Sequence, residues 1–242
     1  MTKSMMISPI QTSVFRQGDD LVEFILKHVD VSLLHEKAIL AITSKIVSID
    51  EGCLVPLSSI DKKDLIRREA DHYLGEIGFG VSLTIKHGLL VAAAGIDESN
   101  SESGDYIVYP KDPYVSAERI RQALMKRLGL SELGIILTDS RTGPLRLGVV
   151  GVSLSYAGFH PLRNMIGQND IFGRPLKMTK INLTDSLAAA AVLMMGEAAE
   201  KCPLAIIQNA PVEFTDFPER SELEVDPSED MYLPLYKNLM KP

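Results

Sequence analysis

Hydrophobic residues fall in short runs between polar turns, and helical and strand periods alternate along the chain. Gly18-Asp19-Asp20 precedes Leu21, Val22, Phe24, Ile25 and Leu26, so a helix capped by aspartate is predicted to begin near Asp19. Residues 38–42 (AILAI) form a β-type run that stops at Thr43-Ser44-Lys45. Residues 64–73 read as a charged helix, and residues 85–96 as strand, turn and strand around His87-Gly88. The clearest helix spans residues 116–128. Ile120, Leu124 and Leu128 recur there at i+4, and Ser116 is placed to cap it. Residues 133–137 (LGIIL) read as a buried strand ending at Thr138-Asp139-Ser140. A second apolar run at residues 147–154 is interrupted by Gly148 and Gly151. Residues 176–183 alternate like a strand, and residues 205–207 form a last short one. Between them, residues 184–200 read as a strongly apolar helix with Asp185 as its N-cap. Strands and helices mix without a regular βαβ rhythm, which predicts an α+β fold with mixed sheets.

The texture changes at Glu213. Residues 213–242 carry eight acidic against three basic side chains and account for −5 of the net charge of −7. This divides the chain into a region 1–212, with room for two subdomains, and an acidic, proline-containing tail 213–242. At 45% hydrophobic and 24% charged, the composition is that of a globular protein able to bury a core. The acidic balance argues against nucleic acid as a partner, because such binding needs a basic surface. Cys53 and Cys202 are too few for a disulfide framework or a CxxC zinc site. The first seventeen residues lack the apolar core of a signal peptide. The longest apolar run, residues 187–195, is too short to span a membrane. The expectation is a cytoplasmic protein with reduced thiols and no membrane contact.

Several chemistries lack their motifs. There is no P-loop, no GxGxxG after a strand, no HExxH and no GxSxG. His28, His35, His72, His87 and His160 stand at no metal-ligand spacing and read as surface or turn residues. What remains is a recurring form: a strand or helix end that displays a carboxylate beside glycine or a hydroxyl. It occurs at Gly95-Ile96-Asp97, at Thr138-Asp139-Ser140 and at Gly196-Glu197. Hard cations such as Mg²⁺ or Mn²⁺ are held beside phosphates by carboxylates of this kind. Asp after a strand is also an ordinary turn or cap residue.

Six segments in order resemble the coenzyme F420 γ-glutamyl ligases. They are TSKIVSIDEG (43–52), KHGLLVAAAGIDESN (86–100), the DP…SAERIRQAL helix (112–124), LTDS (137–140), PLRNMIGQNDIFGRPLKMT (161–179) and DSLAAAAVLMMGEA (185–198). The resemblance runs from Gly18 to about Val212. It implies a γ-glutamyl ligase-like fold in an intertwined homodimer. It also implies a nucleotide-dependent ligase that joins L-glutamate to a carboxylate of F420-0, a deazaflavin, or of a folate in a related branch. Carried over residue by residue, it assigns Asp97, Asp139, Ser140 and Glu197 to two divalent cations, Mg²⁺ or Mn²⁺. It assigns Asn100, Thr12, Ser13, Val14, Phe15, Ser44 and Lys45 to the nucleotide, GTP or ATP. Met195, Gly196, Glu197, Ala198, Ala199, Glu200, Lys201 and Cys202 form the implied nucleotide loop. Lys45, Arg146 and Arg163 are candidates for phosphates or substrate carboxylates, the first two as catalytic groups.

The chain departs from the family pattern in three places. Ile49 stands where a lysine is common. Ala198-Ala199-Glu200 replaces a glycine-rich turn. Arg141-Thr142-Gly143-Pro144 shifts an arginine by two positions, so Arg141 or Arg146 is a candidate replacement. These changes leave a second reading open, a non-catalytic descendant that binds nucleotide or pterin. Other polar residues have plainer readings. Asp19 and Asp20 read as caps, Glu98 as solvent-facing, Met194 and Met195 as core, and Arg174 as a turn residue in an ion pair.

Overall fold

The run at residues 38–42 becomes the middle strand of the fold, covered on both faces. In the computed structural model, which describes residues 4–239, this strand is β2 (Ala38–Thr43), and five of its six residues are buried. Before it come β1 (Met6–Ile10) and α1 (Leu21–His28). After it come α2 (Ser44–Asp50), β3 (Leu54–Val55), α3 (Lys62–Glu69), β4 (His72–Glu76), β5 (Ser82–Lys86), β6 (Leu89–Ala92) and β7 (Tyr106–Ile107). Then follow α4 (Pro113–Leu128), β8 (Leu133–Thr142), β9 (Val149–Ala157), β10 (Leu162–Asn164) and β11 (Lys180–Asn182). The chain closes with α5 (Leu183–Met195), β12 (Leu204–Gln208) and the short α6 (Leu233–Tyr236). The expected α+β class with mixed sheets is what forms. The outermost residues of the two sequence-defined regions, 1–3 and 240–242, lie outside the described residues.

The main sheet has the order β1-β12-β2-β8-β9. Only β2 and β8 run parallel, pairing from Ala38 with Leu133 to Thr43 with Thr138. Strand alternation divides the core in two. Leu40, Ile42, Ile135, Leu137, Leu204 and Ile206 face α1, α2 and α4. Ile39, Ala41, Ile136, Ala205 and Ile207 face α5 through Leu187, Ala188, Ala191 and Met195. The buried runs are continuous because helices cover both faces. In α4, Ile120 and Leu124 are fully buried, and each such side chain gains about 1.5–3 kcal/mol by leaving water. A smaller unit of β3 with β7 and of β4, β5 and β6 carries α3 and its own cluster around Leu65, Ile66, Ala94 and Ile96.

Several sequence expectations move. The cap of α4 is Asp112, whose carboxylate accepts from the Tyr114 and Val115 amides, with Pro113 opening the helix. Ser116, the expected cap, lies inside the helix and donates to Glu51 and to the Asp112 carbonyl. At α1 the cap is Asp20, and Asp19 accepts from the Arg16 amide. The charged helix is α3 and ends at Glu69, so Tyr73 belongs to β4. Only residues 180–182 of the expected strand 176–183 pair. Asn182, not Asp185, caps α5. Asp185 accepts from the Ser153 amide and from the Asn182 side chain. The helix stops at Met195 rather than residue 200, leaving Glu197–Glu200 in a loop.

Residues beyond 212 lie against the main sheet and against the β4-β5-β6 sheet. Phe214 bridges Phe159, the Tyr156 hydroxyl donates to the Glu219 carbonyl, and Tyr236 is buried with Leu74 and Ile85. Arg121 joins this segment to the core. It is 1% exposed and donates to the Leu133 carbonyl at 2.8 Å and to Asp216 at 2.5 Å. Truncating it leaves a buried carbonyl unpaired, a loss of about 1–3 kcal/mol before any cavity is counted. Urea denaturation should show that loss for Arg121→Ala and a smaller one for Asp216→Asn, whose side chain is 62% exposed. Equal midpoints for Arg121→Ala and wild type would refute this account.

Candidate active site

The parallel pair ends at a cavity of about 320 Å³. After β2 the chain turns directly into α2, which brings Ser44 and Lys45 to the rim; β8 contributes Thr138, Asp139 and Ser140. Residues 12–15 and 195–203 close the opposite side, joined where the Thr12 amide donates to the Lys201 carbonyl. The smaller unit contributes Gly95, Asp97 and Asn100. The cavity therefore gathers Thr12, Ser13, Val14, Phe15, Ser44, Lys45, Asp97, Asn100, Asp139, Ser140 and every residue from Met195 to Cys202. Arg146 is not among its lining residues. It sits in the exposed turn between β8 and β9 and donates to the Leu145 carbonyl. Arg163 lies on β10 and donates to the Pro211 carbonyl. Arg174 makes its turn ion pair with Asp170, and Glu98 pairs with Lys62.

The loop carrying Asp97 is tightly determined. Ala93 and Ala94 have φ of 52° and 53°, and Gly95 follows at 69°. Non-glycine residues in this region cost free energy that the surroundings must supply. Asp97 then pairs with Ile107 through both backbone bonds at 2.9 Å. One carboxylate oxygen accepts from the Ser99 amide and hydroxyl, each at 2.7 Å. The other meets Lys45 Nζ at 2.6 Å. Burial alone would raise the Asp97 pKa, but the bonds from Lys45 and Ser99 outweigh it and hold it below the usual carboxylate range.

Asp139 has the opposite balance. Burial pushes its pKa up to about 6, although the Tyr109 hydroxyl donates to it and Lys45 lies near; the Asp97 charge adds to the rise. Tyr109 itself is pushed well above its ordinary value, first by burial and then by Asp139. Its ring lies on Gly95, where an added Cβ would fall 2.0 Å from the ring. Tyr109 thus ties the Asp97 loop to Asp139. No spacing in the sequence announced it. Its position beside Pro110, shortly before the Asp112 cap, is the only signal.

The third carboxylate comes from beyond α5. Ser140 Oγ donates to Glu197 at 3.2 Å. Gly196, at φ 84°, turns the chain out of α5, and the Glu200 side chain folds over it to accept from the Ala198 amide. Ile49, where family members commonly carry lysine, lines the cavity as an apolar residue.

The donors facing this cavity suit a hard cation, being carboxylate and hydroxyl oxygens. Asp139 in particular is a half-buried carboxylate held by a neutral hydroxyl rather than by a direct ion pair. Among the described residues no three His, Cys, Asp or Glu side chains close on one point. A cation shell here would need further oxygens from phosphates or water, which is how Mg²⁺ is commonly held. Elsewhere, no helix among the described residues is long and apolar enough to cross a membrane.

Comparison with known proteins gives the family. The family model described as F420-0:Gamma-glutamyl ligase matches residues 9–209. The coenzyme F420:L-glutamate ligase of Methanopyrus kandleri is 35% identical, over 93% of this chain and 95% of its own. The enzyme of that name from Methanothermobacter thermautotrophicus is 36% identical over 80% of this chain and 84% of its own. That of Haloarcula marismortui is 31% identical over 89% and 90%. The matched span contains all the lining segments of the cavity and most of the chain, and the protein belongs to the F420-0:γ-glutamyl ligase family of acid–amino-acid ligases.

Proposed function

We propose that the protein joins L-glutamate to a carboxylate of F420-0 at the expense of a nucleoside triphosphate, GTP or ATP. The observation that carries this reading is the convergence of Lys45, Asp97, Tyr109-held Asp139 and the 195–202 loop on one cavity. A carboxylate is a poor electrophile. Phosphoryl transfer from the nucleotide to an acceptor oxygen makes an acyl phosphate and releases the nucleoside diphosphate. The glutamate amine then attacks the acyl carbon. The C–N bond forms, the C–O bond to phosphate breaks, and phosphate leaves with the amine proton passed to solvent or phosphate.

The chain's own residues position and neutralise. Lys45 faces the phosphates across the cavity from the 195–202 loop, and Asp97 with Ser99 holds its ammonium in place. Asn100 and Ser13 offer polar contacts to the nucleotide, and Phe15, packed on Phe24, walls its site. Asp97, Asp139, Ser140 and Glu197 would hold divalent cations, whose charge would offset that of the transferring phosphoryl group. The free thiols Cys53 and Cys202 are in keeping with a cytoplasmic setting.

The same reading includes a homodimer. Leu145 and Leu147, at the turn between β8 and β9, are 97% and 105% exposed. Ile171, Phe172 and Met178, in the arm between β10 and β11, are 93%, 75% and 81% exposed. Two apolar projections of this kind suit burial against a second copy.

Three outcomes test the proposal. In a phosphate-release assay with Mn²⁺ or Mg²⁺, nucleotide, glutamate and F420-0, Asp139→Asn and Asp97→Asn should each lose at least ~100-fold in rate. Turnover of either variant at the wild-type rate would sink the site. A folate acceptor run in parallel separates the two branches by the mass of the product. Gly95→Ala should displace the Tyr109 ring, lose roughly 1–3 kcal/mol of stability and weaken Mn²⁺ binding measured by electron paramagnetic resonance. An unchanged Mn²⁺ affinity would show that Tyr109 does not position Asp139. Light scattering after gel filtration should give a dimer for wild type and a monomer for Leu147→Asp with Phe172→Asp; a wild-type monomer would refute the dimer.

A further inference from the structure

A second cavity, of about 240 Å³, lies next to the first. Its walls include Arg141, His87, Asn182, Asp185, Glu224 and Asp230. The two cavities adjoin through one strand and one ring pair. Arg141 follows Asp139 and Ser140 on β8, and the His87 ring lies 6.1 Å from that of Tyr109, which holds Asp139. At this size the cavity is below the ~300–1,000 Å³ usual for drug-sized ligands, so it suits an amino acid better than a deazaflavin.

Two polar groups on this cavity lack partners. The other arginines of the described chain each donate to a carboxylate or a carbonyl. Among the described residues Arg141 makes neither kind of contact, although it is only partly exposed. A half-buried guanidinium without an anion is a ready bidentate site for a carboxylate. His87 Nε2 is a buried side-chain nitrogen with no hydrogen-bond partner. Unpaired buried polar atoms are costly, so a ligand group that pairs with this one gains. The acidic residues of the wall are anchored. Asp185 accepts from the Ser153 amide and Asn182, and Asp230 accepts from the Tyr236 hydroxyl. Glu224, which also lines the cavity, packs on Gly88. One free cation and fixed carboxylates lining the same small cavity match a ligand with both carboxylate and ammonium groups.

We infer that this second cavity is the site for the incoming L-glutamate, with Arg141 taking a carboxylate and Asp185 and Glu224 facing the ammonium. The inference rests on the proposed ligase reaction and adds to it the place of the amino-acid substrate. Glu224 and the residues around it, up to Tyr236, lie outside the span 9–209 that matches the family, yet they complete the cavity. The departure at Arg141-Thr142-Gly143-Pro144 then has a role: it sets the guanidinium on the strand that also carries Asp139.

The test is equilibrium dialysis of radiolabelled L-glutamate against the full chain with Mn²⁺ and a non-hydrolysable nucleotide analogue. Wild type should bind glutamate, and glutarate, which lacks the amine, should compete at least ~10-fold less well. Arg141→Gln should weaken glutamate binding at least ~10-fold, Arg141→Lys less, with nucleotide affinity unchanged. Should Arg141→Gln not fold, Glu224→Gln serves instead and should also weaken glutamate but not glutarate. Glutamate binding that is absent from wild type, or unchanged in the variants, overturns the assignment. So does a loss in Arg141→Gln that falls on the acceptor instead of glutamate. Glutamate-dependent phosphate release by wild type is scored separately. If it is present while the variants keep the wild-type glutamate KM, this assignment fails and the ligase reading stands. If it is absent, the ligase reading fails.

Discussion

Six residue pairs of parallel ladder between β2 and β8 position everything at the site. This is the one parallel contact in the main sheet, and it brings two strand ends to the same edge. From β2 the chain runs straight into Ser44 and Lys45, and β8 continues through Asp139 to Arg141. Asp139 and Arg141 are two residues apart on one face of β8, about 7 Å from each other along the strand, so neighbouring cavities are served by one strand face. A one-residue slip would exchange the faces of Leu40 and Ile39, and with them the helices that each side packs against. Register at the site is thus fixed by the core rather than by the polar groups.

The polar groups are arranged as unequal partners. Asp97 meets a cation directly and stays acidic, while Asp139 is half-buried against a neutral hydroxyl and desolvation pushes its pKa up to about 6. Tyr109 links them through its contact with Gly95 and its bond to Asp139. One carboxylate already shares its charge with Lys45, and the other has no direct ion pair within the chain. That asymmetry is what a site needs if positive charge is to arrive with the substrate.

Much of this was legible in the sequence, for a physical reason. β2, β8 and α5 are buried in long apolar stretches, and burial of that kind writes a strong pattern. The cavity residues from Thr12 to Cys202 were legible only through ordered motifs of the family, because the segments that meet are far apart in the chain. Local capping was read less well. Ser116 looked like a cap by composition, but Asp112 ahead of Pro113 has the stronger geometry. The end of α5 was placed too late because its apolar period outlasts the turn at Gly196. Arg146 looked like a phosphate ligand, yet the β8–β9 turn carries it outward. Tyr109 left little trace and His87 only that of a turn residue, because the Tyr109–Asp139 bond and the His87–Tyr109 ring contact join residues far apart in the chain.

The acidity of the chain looks different once these contacts are known. Most of the net charge of −7 comes from residues beyond 212. Several of those carboxylates have partners: Asp216 with Arg121, Glu222 with His160, Asp230 with Tyr236. Glu224, a lining residue of the second cavity, is the member of this group assigned to the proposed substrate. A carboxylate is repulsive to glutamate's acidic ends but attractive to its ammonium, so its effect depends on which end lies near. With Arg141 and Glu224 both lining the cavity, the two opposite charges would orient an amino acid, where a uniformly basic cavity would bind any anion. The acidic segment is therefore compatible with anionic substrates, and in this arrangement it supplies the selectivity that positive charge alone cannot.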